Sequence, residues 1–180
     1  LEDVLEFQKE HGAVVVKPLH GNGGKAIFKI DESGTNTSAL FEVFNQTWPE
    51  PHMVQPFLPS VAEGDKRIVL VDGEVAGAIN RKPGEGEFRS NLHRGGTASL
   101  IRITPQERST AIKAAKAMGL NVAGVDLLRS SRGPLVMEVN SSPGLEGIEN
   151  ATGKNVAGMI INWTEKNQKP WKTGTKGGRG

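Results

Sequence analysis

Residues 124–147 read GVDLLRSSRGPLVMEVNSSPGLEG, and the architecture of the chain follows from them. Val122–Leu128 and Leu135–Val139 are apolar enough for buried strands, and Ser130–Ser131–Arg132–Gly133–Pro134 between them is turn chemistry. The spacing predicts a hairpin centred near Arg132, which sets Asp126 opposite Glu138. Side chains at i and i+2 share a strand face, so Asn140 joins Glu138 where the strand extends that far. Two carboxylates and an amide then converge on one face. Burying unpaired carboxylates is expensive. A hard divalent cation removes that expense, and magnesium takes one or two carboxylates plus phosphates and waters. The plainer account is a pair of solvated strand residues beside a turn.

The surrounding chain bounds what this hairpin belongs to. A chain of 180 residues predicts one domain with enough length for a real core. The net charge of +2 provides no general attraction to nucleic acid or to a membrane surface. No apolar run is long enough to cross a bilayer, and no signal peptide is expected from these residues. Cysteine is absent, which excludes disulfides and thiolate metal sites and fits a cytoplasmic location. The 23 glycines cluster in loops without a period. The first residue is Leu1, already inside a helical pattern, so a segment of a longer protein is expected.

Leu1–His11 places Leu1, Val4 and Leu5 on one helical face before Gly12. A short strand, Ala13–Val16, ends in Lys17–Pro18. Between it and a second strand, Ala26–Ile30, lies His20–Gly21–Asn22–Gly23–Gly24–Lys25. Such a turn lets backbone N–H groups approach a phosphate, with the Lys17 ammonium in reach. It is neither a P-loop nor a dinucleotide fingerprint, because a strand rather than a helix follows. An ordinary hairpin loop is the bland alternative. Ser38–Trp48 predicts an amphipathic helix closed by Pro49, and His52–Phe57 a strand that leaves through Leu58–Gly64. Asp72–Gly73, between Lys66–Val71 and Glu74–Asn80, is the strongest short hairpin signal.

Arg81–Gly96, RKPGEGEFRSNLHRGG, breaks the pattern. It is either a solvated loop or a flap whose guanidiniums hold phosphate and carboxylate oxygens and exclude water from an activated acyl group. A strand, Thr97–Ile103, follows. Thr104–Pro105–Gln106–Glu107 is a capping box with proline at the first helical position, opening a helix that stops at Gly119. Ser141–Gly147 reads as a tight loop and Val156–Glu165 as a last helix. The basic, glycine-rich end, 168–180, reads as a disordered tail.

Taken together, Lys17 with the glycine-rich loop, Gln55–Pro56–Phe57–Leu58, and Asp126, Glu138 and Asn140 resemble the ATP-grasp superfamily. VVVKPLHGNGGKAIFKI and QPFLPSVAEGDKRIVLVDGEVAGAINRKPGEG are similar to bacterial glutathione synthetase. From Phe88 on, FRSNLHRGG, ITPQER and GPLVMEVNSSPGLEGIE are similar to the RimK-type family, ligases that add glutamate to a ribosomal protein's C-terminus. The join falls at Arg89–Leu92, an Arg-x-Asn-Leu motif that both families share. The resemblance implies an α+β fold of two lobes with antiparallel sheets enclosing a nucleotide cleft, the first lobe about 1–58 and the second about 59–167. The family pattern also includes a preceding domain and an earlier ATP-binding lysine, which these residues lack.

Position by position, the resemblance puts Lys17 and the loop with Gly23 and Gly24 on the ATP phosphates. Gln55, Pro56, Phe57 and Leu58 meet the adenine, and Asp65 the ribose hydroxyls. Arg81 lies on the transferring phosphoryl group, and Arg89, Ser90 and Asn91 between nucleotide and carboxylate substrate. Asp126, Glu138 and Asn140 bind two magnesium ions, with manganese as an alternative, and Ser141–Gly147 borders the acceptor. The implied reaction passes through an acyl phosphate: ATP phosphorylates a carboxylate, and an amine displaces phosphate to form an amide. Metals and arginines carry that chemistry, and no protein nucleophile is needed. Three functions remain open: a RimK-type glutamate ligase acting on an amino acid, a peptide or a ribosomal protein C-terminus; a glutathione synthetase joining glycine to γ-glutamylcysteine; and a non-catalytic nucleotide-binding module. Neither membrane nor nucleic acid is an expected partner, and a homo-oligomer is compatible with each.

Overall fold

The computed structural model describes residues 1–20, 23–47 and 51–168. The chain divides into two compact units: the first takes Leu1–Asp65, Arg81–Thr97 and Leu128–Arg132, the second Lys66–Asn80, Ala98–Leu127 and the residues from Gly133 on. No helix among the described residues is long and apolar enough to cross a membrane.

In the first unit, α1 (Glu2–His11) leads into β1 (Val14–Pro18), β2 (Phe28–Ile30), α2 (Thr37–Thr47) and β3 (His52–Pro56). The strands form an antiparallel sheet in the order β2-β1-β3. Strand alternation sorts β1. Val14 and Val16 are fully buried and pack with Val4 of α1 and with Phe41 and Phe44 of α2. Val15 and Lys17 therefore point to the other face, where Val15 lies opposite Lys29 and Gln55, and Lys17 opposite Met53. β2 begins two residues later than Ala26, because Ala26 has φ +53°, outside the strand region. Trp48 and Pro49, expected to close α2, lie outside the described residues.

The second sheet runs β6-β5-β4-β7-β8, built from β4 (Asp65–Val71), β5 (Glu74–Lys82), β6 (Thr97–Leu100), β7 (Val122–Ser130) and β8 (Gly133–Asn140). Asp72 and Gly73 turn the β4–β5 hairpin with φ of +54° and +75°, the pair of left-handed residues that a tight primed turn requires. β4 pairs antiparallel with β7, Lys66 opposite Leu127 and Arg67 opposite Asp126. Ile68, Leu70, Val125 and Leu127 pack against Ala111 and Ala115 of α3 (Pro105–Ala117). Val69, Val71 and Ala76 pack on the opposite face against Ile148 of α4 (Glu146–Thr152) and Val156 of α5 (Val156–Asn167).

The Thr104 hydroxyl accepts from the Glu107 N–H at 3.1 Å, and the Glu107 carboxylate accepts from the Thr104 N–H at 2.8 Å, so the capping box is complete. Two expectations need correction. β6 ends at Leu100 rather than Ile103, and α4 begins at Glu146, inside the stretch Ser141–Gly147 read as a tight loop. At seven residues, with Gly147 inside and Gly153 at its end, α4 carries too little periodicity to be legible; its single fully packed residue is Ile148. The expected tail, apart from Gln168 at the end of α5, lies outside the described residues.

Candidate functional site

Within the first unit, the glycine-rich loop and the arginine segment come together. Gly23 and Gly24 have φ of +64° and +68°; Gly21 and Asn22 lie outside the described residues. The Gly24 carbonyl accepts from Arg89 Nη1 at 2.7 Å and the Gly23 carbonyl from Arg94 Nε at 3.3 Å. A side chain at Gly24 would run into the Asn91 amide, so both its φ and its neighbour require glycine. Phe57 meets Phe88 edge-on at 6.3 Å between ring centres, and Lys29 Nζ sits 4.0 Å above the Phe57 ring. The Gln55–Leu58 stretch is thereby tied to the arginine segment, while Lys17 and Gln55 share one sheet face.

The arginine segment is no solvated loop. Ser90 is 4 % exposed, and its buried Oγ has no hydrogen-bond partner among the described residues. Arg89 donates from Nε to Glu87 Oε1 at 3.0 Å and from Nη2 to Oε2 at 2.5 Å. That hydrogen-bonded pairing, helped by the N–H groups of Phe88 and Arg89, outweighs burial and holds the Glu87 carboxyl at about 2; it also raises Arg89. Asp65 and Arg81, expected on ribose and phosphoryl group, are both buried and pair with each other, Arg81 Nε donating to Asp65 Oδ1 at 2.7 Å.

The second unit carries the acidic hairpin. A Cβ added at Gly124 would lie 3.8 Å from the Asn140 Cβ, so these two residues face the same side of β7–β8. They are equidistant from Arg132. Alternation then brings Asp126 and Glu138 onto that side as well. Gly133, at φ +97°, supplies the left-handed residue that a three-residue hairpin loop needs. Asp126 is 1 % exposed and held by Arg67, whose Nε donates to Oδ1 at 2.8 Å and Nη2 to Oδ2 at 2.7 Å. This bidentate clamp engages two of the roughly four acceptor positions of a carboxylate.

The donor set fits an oxygen-seeking cation. Two carboxylates and an amide share the face, and the buried Nδ2 of Asn140 has no hydrogen-bond partner among the described residues. Turned over, the amide presents its oxygen at that position. Among the described residues no group of three His, Cys, Asp or Glu side chains is placed to hold a metal ion. A shallow groove of about 420 Å³ along α3, lined by Pro105, Arg108, Ser109, Ile112, Lys113 and Lys116, contains none of the expected residues.

Motif reading missed three partners: Arg67 for Asp126, Glu87 for Arg89, and Glu107, which is buried against the Lys66 ammonium. Only Glu87 had a local signal, two residues from Arg89. The other pairs depend on which strands and helices become neighbours.

Comparison with known proteins follows the same lines. Residues 1–164 match the model of the RimK-like ATP-grasp domain. A protein of Marinobacter nauticus described as a probable alpha-L-glutamate ligase is 63 % identical over 178 residues, 98 % of this chain and 58 % of the relative. The chain thus spans little more than half of that relative's length. Among solved structures, the ATP-grasp ligase PsnB, complexed with a phosphomimetic variant of its minimal precursor, Mg and ADP, matches with a TM-score of 0.66 at 22 % identity, over 93 % of this chain and 50 % of that one. D-alanine–D-alanine ligase from Bacillus anthracis matches with a TM-score of 0.68 at 21 % identity, over 89 % and 57 %. At such identities these likenesses concern the fold, α+β with antiparallel sheets. By its sequence over 1–164, the chain belongs to the RimK-like ATP-grasp family.

Proposed function

We propose that this chain is the ATP-grasp part of an ATP-dependent ligase that joins glutamate to the C-terminal carboxylate of a peptide or protein. The observation that carries the reading is the shared face of Asp126, Glu138 and Asn140 with its unpartnered amide, in a member of this family. The description of the Marinobacter relative supports glutamate as the amine, and the Mg and ADP bound to PsnB support a magnesium nucleotide. Lys17 on the open face of β1 and the glycine loop would neutralise phosphate oxygens. Gln55–Leu58 would hold the base, and Arg89 would stabilise charge on the transferring group. Asp126, Glu138 and Asn140 would hold magnesium, which supplies charge neutralisation at the phosphates when bound. The reacting carboxylate takes the terminal phosphoryl group of ATP, and the glutamate amine then displaces phosphate, leaving an amide, ADP and phosphate. A protein C-terminus, including that of a ribosomal protein, and a cytoplasmic setting belong to this reading.

ADP release tests it. Turnover is expected with glutamate plus a glutamate-ended peptide, but not with glycine plus γ-glutamylcysteine. The reverse preference would replace the glutamate reading with glutathione synthesis. Binding of magnesium and a non-hydrolysable ATP analogue that disappears in Glu138→Ala, without turnover of either pair, would leave a nucleotide-binding module.

A further inference from the structure

Glu87 accepts four hydrogen bonds. Its Oε1 takes the N–H of Phe88 at 2.9 Å, the N–H of Arg89 at 3.2 Å and Arg89 Nε at 3.0 Å, and Oε2 takes Arg89 Nη2 at 2.5 Å. The two backbone bonds come from the residues that follow Glu87. The loop backbone therefore holds Oε1 through two bonds that do not involve the Arg89 side chain. Arg89 docks onto it through one edge of the guanidinium, Nε with Nη2. Nη1 reaches the Gly24 carbonyl at 2.7 Å. Three of the five N–H groups of an arginine are thereby engaged, and among the described residues two remain, one on each terminal nitrogen. The outer edge of the fork, with one N–H from each terminal nitrogen, is the edge that grips phosphate or carboxylate oxygens side by side.

We infer that Glu87 is a positioning residue: it fixes the Arg89 guanidinium against the glycine loop so that its outer N–H pair is presented to an anionic oxygen pair of the ligand. The inference rests on the nucleotide-dependent reading above for the identity of that ligand. An untethered arginine loses much of its rotamer freedom when it binds. Here much of that ordering precedes the ligand, which is the physical content of preorganisation. Glu87 is no competitor for the ligand, because it occupies the inner edge of the fork and leaves the outer one.

The test uses the full chain with Glu87→Gln, Glu87→Asp, Arg89→Met and the double variant Glu87→Gln/Arg89→Met. Glutamine sets an NH2 group against Arg89 Nη2; aspartate keeps the charge. Calorimetry with magnesium and a non-hydrolysable ATP analogue should show binding weakened about tenfold in Glu87→Gln and largely recovered in Glu87→Asp. The double variant should bind no more weakly than Arg89→Met alone, because Glu87 acts through Arg89. Binding in Glu87→Gln that equals or exceeds wild type for both the analogue and L-glutamate overturns the inference. So does a Glu87→Gln loss that adds in full to that of Arg89→Met. Titration with L-glutamate alone identifies the anion: loss there rather than with the analogue means that Arg89 meets a carboxylate, and the positioning stands either way. A second readout is independent of nucleotide. The Arg89 Nε–H resonance should exchange slowly with solvent in wild type and fast in Glu87→Gln. If wild type binds no analogue, that contrast upholds the positioning while the nucleotide reading falls. Equally fast exchange in both proteins overturns the positioning itself.

Discussion

Replacing Asp126 by asparagine puts the Arg67 clamp to the test. The pair is bidentate, at 2.8 and 2.7 Å, with the Asp126 side chain 2 % exposed and that of Arg67 18 % exposed. Asparagine keeps one acceptor oxygen but turns an NH2 group toward a guanidinium N–H and removes the counter-charge. One charge-assisted hydrogen bond is worth about 1.5–3 kcal/mol. Breaking a buried ion pair by changing one partner costs about 3–5 kcal/mol, because the other charge stays behind. Arg67 retains some water, so the low end, about 3 kcal/mol, is expected. For a chain of this size that lowers Tm by about 6–12 °C. Arg67→Met combined with Asp126→Leu removes both charges, so its cost should fall short of the sum of the single replacements by about 2 kcal/mol or more. Urea denaturation followed by circular dichroism at pH 7 measures wild type, Asp126→Asn, Arg67→Met, Asp126→Leu and the double variant, with an unchanged m-value as the sign of a common unfolded state. A cost below about 1 kcal/mol for Asp126→Asn, or strict additivity in the double variant, would refute the claim that these two charges hold each other in the sheet.

Three further outcomes are expected. A Cβ at Gly96 would lie 2.9 Å from the Ser90 carbonyl oxygen and 3.0 Å from those of Asn91 and Lys82. Backbone cannot swing aside as a side chain does, so Gly96→Ala should cost about 1–3 kcal/mol and speed trypsin cleavage at Arg89 and Arg94. Thr104→Ala removes half of the capping box and should destabilise α3 by about 1 kcal/mol, read by thermal melting. Glu87 is held at about 2, below its ordinary 4.5, so its pairing with Arg89 contributes fully above about pH 4.5 and is lost as pH falls toward 2. The amide resonances of Phe88 and Arg89 should titrate near that lower value, and the step should vanish in Glu87→Gln.

Legibility in the sequence followed locality. The Asp72–Gly73 hairpin, the Thr104 capping box and the common side of Asp126, Glu138 and Asn140 each depend on residues close along the chain and on the two-residue period of strands. Each could be read directly. The adjacency of β4 and β7 could not, because it joins residues such as Arg67 and Asp126 across a hairpin, a loop segment and a helix. The pairing of Arg67 with Asp126 was hidden for the same reason, as was that of Lys66 with Glu107 on α3. The pairing of Asp65 with Arg81 at the ends of β4 and β5 had no local signal either. Short α4 escaped because one buried isoleucine makes no pattern.

The consecutive cations of β4 have a consequence for changes in chain length. Lys66 faces Glu107 in the layer of α3, and Arg67, one residue on, faces Asp126 on the other side. Deleting one residue of the strand beside them would hand the place of Arg67 to Ile68 where the chain beyond a deletion ahead of it shifts back, or to Lys66 where the chain before a deletion past it shifts forward, and would move its fork into the apolar layer. A shift of two restores the parity of the strand but sets Asp65 or Val69 against a buried carboxylate. The strand therefore tolerates no frame but its own, and insertions that spare this protein should be confined to the segments before Asp65 and after Val71.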